Sequence, residues 1–232
     1  MALGVFGVQA HAKNTQCLDL LRTYKTKVKL KKLNTSVEFF HRDGTFMQRI
    51  SQYFYSKSSF WVFLITLALF VMFMLVVLPS EASRSDEVLG SAPSPDTSFY
   101  YSKDDLYQMA EEYGQEGRLY YLDSRISFDI IWPLVYTFFL INAISWLLDK
   151  TILEGSKLRL LNLVPLAGIL LDYLENISNM VVMFRFPQQT DILASLAGII
   201  TSLKWVFVGG SFLILVFGIV LWVGVKTNII KT

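Results

Sequence analysis

The sequence predicts an all-α protein: a membrane-spanning four-helix bundle with an amphipathic helix outside the membrane. Three observations predict it. Of the 232 residues, 53% are hydrophobic and only 17% charged, whereas a soluble domain normally carries about a quarter charged residues. The apolar stretches fall into four blocks long enough to cross a hydrocarbon core of ~30 Å, which takes about 20 helical residues. These blocks are continuously apolar, without the alternation of a membrane barrel strand, so helices are the spanning structure they fit.

The first span is FWVFLITLALFVMFMLVVL over 60–78, ended by Pro79, and the second is IIWPLVYTFFLINAISWLL over 130–148. The third, 160–184, is interrupted by Asp172 and Glu175; the fourth, 192–225, is long enough to tilt and is interrupted by Lys204. This defines a membrane domain over 60–225 with an outside loop at 80–128, a basic segment at 1–59 and a short tail at 226–232. Orientation follows from lysine and arginine placement. Ten basic residues precede Phe60, whereas the 80–128 loop has four against ten acidic residues. Lys150, Lys157 and Arg159 mark the next connection as basic, and Lys226 and Lys231 mark the tail. Both termini are therefore expected on the cytoplasmic (or stromal or matrix) side, with the acidic loop outside. The first residues lack a basic n-region followed by an apolar h-region, so the first span is expected to act as the anchor.

Between Cys17 and Leu33, residues Cys17, Leu21, Tyr24 and Val28 share one helical face, with Arg22, Lys25, Lys29 and Lys32 elsewhere. That pattern suits an amphipathic helix on an anionic lipid surface, or a basic flank that only enforces topology; its shortage of acids would also suit an organellar presequence. In the outside loop, SEASRSDEVLGSAPSPDT over 80–97 reads as a flexible connector. Order is expected to resume at Ser102, which with Asp105 resembles a capping box. Leu106, Met109, Ala110 and Tyr113 then recur at helical spacing, with Gly114 placed as a C-terminal cap. This helix either lies on the membrane surface, with Tyr100, Tyr101, Tyr107 and Tyr113 at headgroup level, or packs onto the bundle. A further helix is expected to start at Arg118 and run into the second span. Arg118, Leu122, Arg125, Asp129, Pro133 and Tyr136 fall on one of its faces. Pro133 frees the carbonyl of Asp129 and kinks the helix.

A charge at mid-bilayer costs at least ~2.5–3.5 kcal/mol, so Asp172, Glu175 and Lys204 need a reason to be there. Pro165, Gly168, Asp172, Glu175, Asn176 and Asn179 share one broad face of the third span. Ala194, Gly198, Thr201, Lys204 and Trp205 share one of the fourth. At a rise of about 1.5 Å per residue, Asp172 lies ~12 Å and Lys204 ~15–18 Å below the outer edge. The pattern predicts a polar cavity opening outward, lined by Arg118, Arg125, Asp129, Tyr136, Asp172, Glu175, Asn176, Asn179 and Lys204. The alternative is a buried ion pair that only fixes helix register. Lys204 is expected within bridging distance of Asp172 or Glu175.

Several chemistries are excluded. The single Cys17 rules out an internal disulfide, a CxxC pair and a thiolate zinc site. His11 and His41 both precede the first apolar run, so no span offers a histidine to haem, copper or zinc. No cofactor or metal is expected, and no phosphate loop, metalloprotease helix or nucleophile elbow is present. The net charge of +2 implies no nucleic-acid partner. The expected partners are the lipid bilayer, with anionic lipid at the N-terminal segment, and a membrane protein.

Tyr113-Gly114-x-Glu116-Gly117-Arg118, Asp129-x-x-x-Pro133-x-x-Tyr136 and Asp172-Tyr173-Leu174-Glu175-Asn176 together resemble a pattern in uncharacterised four-span integral membrane proteins, mostly bacterial. The resemblance covers roughly 60–225; the basic N-terminal segment departs from it. It implies the four-span topology and the polar face, and supplies no mechanism. Three readings of function follow. One is a small accessory, assembly or lipid-interacting component. The second is a membrane-embedded enzyme acting on a lipid or isoprenoid, with Asp172 or Glu175 as acid–base and Arg118 and Arg125 holding a phosphate. The third is a carrier, which with four spans would have to be a dimer.

Overall fold

The computed structural model describes residues 46–229. Within them the chain is all-α, and four helices are long and apolar enough to cross a membrane. The elements are α1 (Phe46–Lys57), α2 (Phe60–Leu89), α3 (Lys103–Glu112), α4 (Gly114–Asp149), α5 (Val164–Arg185) and α6 (Asp191–Lys226), with 3-10 turns at Pro95–Thr97 and Lys157–Leu163. The basic helix expected around Arg22, Lys25, Lys29 and Lys32 lies outside the described residues.

The first span departs from expectation. It begins at Ser59, whose hydroxyl accepts from the Val62 N–H, but Pro79 does not end it. The proline ring cannot sit against an ordinary α-helical turn, because it clashes with the carbonyl four residues back. Residues Phe73–Val77 widen into a π-helical turn, in which the Leu78 N–H bonds the Phe73 carbonyl, and the helix continues. Widening of this kind admits the proline without breaking the rod. The next residues, Glu81, Ala82 and Arg84, favour helix, and Gly90 ends it at φ +64°. Half of the segment read as a flexible connector is therefore helical.

α3 starts with the expected capping box: Ser102 Oγ accepts from the Asp105 N–H, and Asp105 Oδ2 accepts from the Ser102 N–H at 2.8 Å. Gly114, at φ +61°, breaks the chain direction, and α4 begins there, four residues before Arg118. α4 then runs unbroken through Pro133. In the most apolar stretch of α4 67% of the residues are buried, whereas in that of α2 none is more than partly buried; α4 is the central helix and α2 a peripheral one.

Packing follows from aromatic contacts on one side and small residues on the other. Phe63 stacks on Trp146 at 5.5 Å and Phe70 on Phe139 at 4.6 Å, joining α2 to α4. Gly168 on α5 faces Val208 on α6 so closely that a Cβ would lie 3.1 Å from the valine methyl. Small residues at such crossings let membrane helices approach. At the end carrying the 150–157 connection, Asn162 is fully buried and ties three elements together. It accepts from Ser51 Oγ at 2.8 Å and its amide reaches Ser145 Oγ at 3.0 Å.

At the other end, here termed the loop end, α3 packs onto the bundle. Leu106, Met109 and Ala110 join a core with Val182, Met183, Ala194 and Ala197 of α5 and α6. Tyr101, Tyr107 and Tyr113 are buried in it, and only Tyr100, 60% exposed, remains available at the surface. The three buried hydroxyls tolerate this because each is partnered. Tyr101 donates to Asn179, Tyr113 donates to the Pro93 carbonyl, and Tyr107 accepts from the Thr190 N–H.

Candidate functional site

α4, α5 and α6 bring most of the expected polar residues together beneath the loop end. Lys204 Nζ lies 2.5 Å from Glu175 Oε2, with their side chains 7% and 0% exposed. Thr201 Oγ lies 2.8 Å from Glu175 Oε1 and 3.0 Å from the Tyr101 hydroxyl, which donates to Asn179 Oδ1 at 3.0 Å. Threonine sits one turn before Lys204 on α6, and Asn179 one turn after Glu175 on α5, so the helical repeat alone sets this arrangement.

A second group adjoins it. The Arg125 guanidinium forms an ion pair with Asp129, one turn along α4, and lies 3.4 Å from Asn176 Oδ1. Asn176 in turn reaches Asp172 Oδ1 at 3.2 Å, and Tyr136 donates to Asp172 Oδ2 at 2.7 Å. Beneath the guanidinium lies the Tyr121 ring, 4.3 Å from ring centroid to charge. The planar fork of Arg125 also grips both oxygens of Asp96, the bidentate geometry at which arginine is strongest. Asp96 belongs to the 3-10 turn Pro95–Thr97. Although its burial pushes its pKa up, the guanidinium and the more distant Lys204 outweigh it and hold the carboxyl below its usual range.

Two expectations are corrected. Arg118 is not in this cluster: its guanidinium donates to the Ala110 carbonyl at 2.7 Å and lies over the Phe186 ring. The helix carries it about two turns above Arg125, where the end of α3 supplies a carbonyl. Nor is the cluster an open cavity. The 94–101 segment folds over it as a strap, held by Asp96 on Arg125, the Trp205 indole on the Ser98 carbonyl at 3.0 Å, and Ser202 on the Phe99 carbonyl. Gly198 admits the strap, since a Cβ there would collide with the Tyr101 carbonyl. Arg125, Asp129, Tyr136, Glu175, Asn176, Asn179 and Lys204 are buried beneath it, and Asp172 is half-buried.

A different concavity lies on neighbouring faces of α4 and α5. It is an open groove of about 650 Å³ between Leu119, Leu122, Asp123 and Ile126 on one side and Met180, Val181, Phe184 and Arg185 on the other.

No protein-family model, curated protein or solved structure matches this chain. What sequence reasoning missed is Asp96, Tyr101 and Tyr121. Ser94-Pro95-Asp96-Thr97 carries a turn signature, which locates the turn but names no partner 29 residues away. Among the described residues no group of His, Cys, Asp and Glu is placed to hold a metal.

Proposed function

We propose that this chain is a small, non-catalytic membrane component that interacts with lipid, its polar cluster serving as an internal brace. In this reading both termini sit on the basic, cytoplasmic-type side and the strap faces outward. One observation carries the brace: the charges meet inside the chain, Lys204 on Glu175 and Arg125 on Asp96 and Asp129, under a strap built from the same chain. Buried pairs of this kind fix which helix faces meet, and losing one partner strands the other charge.

The lipid-enzyme reading draws support from the sideways groove, which lies within the usual size of ligand sites. Its carboxylates do not: Asp172 and Glu175 lie on another face of α5, by the 100° helical step.

Glu175→Gln separates the two. It keeps an acceptor for Thr201 and removes the counter-charge of Lys204. The brace reading expects a marked drop in thermal midpoint, with copurifying lipid or protein unchanged at low temperature. An unaltered midpoint would sink the brace. Purification in mild detergent as a monomer with no associated lipid or protein would sink the accessory role itself.

A further inference from the structure

The α4–α5 groove carries two opposite charges that do not use each other. Asp123 and Arg185 both line it and both are exposed, and neither takes part in an ion pair or a side-chain hydrogen bond among the described residues. Two exposed groups of opposite charge can pair across elements of this fold, as Lys103 of α3 does with Asp191 of α6 at 3.6 Å. Arg185 is the last residue of α5, at the level where a spanning helix meets headgroups. Val181 lies one turn deeper and Ile126 lies ~4.5 Å deeper along α4 than Asp123, at 1.5 Å per residue. Polar ends above and an apolar floor below match one molecule type, an amphiphile with both signs of charge in its head.

We propose that this groove binds one zwitterionic phospholipid of the ethanolamine type. Its phosphate sits on Arg185, its ammonium on Asp123, and one acyl chain lies along Leu122, Ile126, Val181 and Phe184. Guanidinium and phosphate match as a bidentate pair. The primary ammonium donates to the carboxylate, and the apolar walls lower the local dielectric and strengthen both contacts. A phospholipid with an uncharged glycerol head satisfies Arg185 and leaves Asp123 without its cation while adding a net negative charge beside it, so it binds less well. The inference rests on the reading of the chain as lipid-interacting and gives that reading its ligand class.

The test is lipid retention on the full-length protein, measured by native mass spectrometry during titration with phosphatidylethanolamine or phosphatidylglycerol of identical acyl chains. Wild type is expected to retain the ethanolamine lipid about tenfold better, the effect of one charge-assisted contact. Asp123→Asn should erase that preference, Arg185→Gln should weaken both lipids, and Glu116→Gln, an exposed acid on α4 outside the groove, should change neither. Ile126→Trp fills the floor from an outward-facing position and should lower retention of both alike. Equal retention by wild type, or a preference that survives Asp123→Asn, overturns the site and leaves the lipid-interacting reading standing. Retention of neither lipid by wild type overturns both.

Discussion

At the scale of single residues, the buried network separates groups that hold the fold from groups it merely tolerates. Lys204 is enclosed with Glu175, so Lys204→Met leaves a carboxylate without its cation and should cost ~3–5 kcal/mol. Lys226, in the last turn of α6, is solvent-exposed, and Lys226→Met should leave the yield of folded protein unchanged; equal losses for the two would show that Lys204 is not paired. The tyrosines make a similar contrast. The Tyr101 hydroxyl bridges Asn179 and Thr201. Tyr101→Phe leaves Asn179 Oδ1 without its donor, at about 1–3 kcal/mol, while Thr201 keeps Glu175 and the Ala197 carbonyl. The equally buried Tyr121 hydroxyl has no hydrogen-bond partner among the described residues, while its ring lies under Arg125. Tyr121→Phe keeps the cation–ring contact and should be neutral or slightly stabilising in a thermal melt. Of these residues, Asp172, Glu175 and Lys204 are legible in the sequence because a charge in an apolar run has no cheap explanation. Tyr101 is not: a tyrosine beside a membrane span looks like a headgroup anchor, and only the fold supplies Asn179.

Among the elements, the strap over 94–101 is the one whose behaviour should depend on pH. Asp96 has a lowered pKa in the fold because Arg125 outweighs its burial. A depressed carboxylate contributes stability that is complete above the unfolded value of about 4 and is lost as pH falls through the folded value. The hydrogen-exchange protection factor of the Ser98 amide, which bonds the Pro95 carbonyl, should therefore be higher at neutral pH than in acid, and Asp96→Asn should give the acid value already at pH 7. Gly198→Ala should loosen the same segment at every pH, since its methyl meets the Tyr101 carbonyl. Helix boundaries were legible where a cap is local, as at Ser102 and Gly114. They were not legible at Pro79, because the rule that proline ends a helix says nothing about a π-helical turn that makes room for it. Asn162, an ordinary polar residue in a basic connection, gave no sign of the buried junction it forms with Ser51 and Ser145.

Across the whole molecule, hydropathy was enough to read the all-α fold, because four spans of this length have few other ways to satisfy their backbones. It did not reveal that α4 is central and α2 peripheral, since both read as equally continuous apolar runs. The proposed orientation predicts that, in a Cys17→Ser background, Ser91→Cys and Thr232→Cys label from opposite sides of the membrane; labelling from one side would refute the four-span topology. The pairing of Glu175 with Lys204 also bears on biogenesis. Asp96 and Arg125 are both synthesised before the third span exists, whereas α5 emerges from the ribosome with Glu175 and no cation to meet it. Its partner arrives only with α6, across a link of five residues at 186–190. A lone carboxylate costs a few kcal/mol at the translocon, so the third and fourth spans should enter the membrane together as a hairpin. A chain truncated after Thr190 should then leave a fraction of its third span extractable by alkaline carbonate, and Glu175→Leu in that truncation should restore full integration.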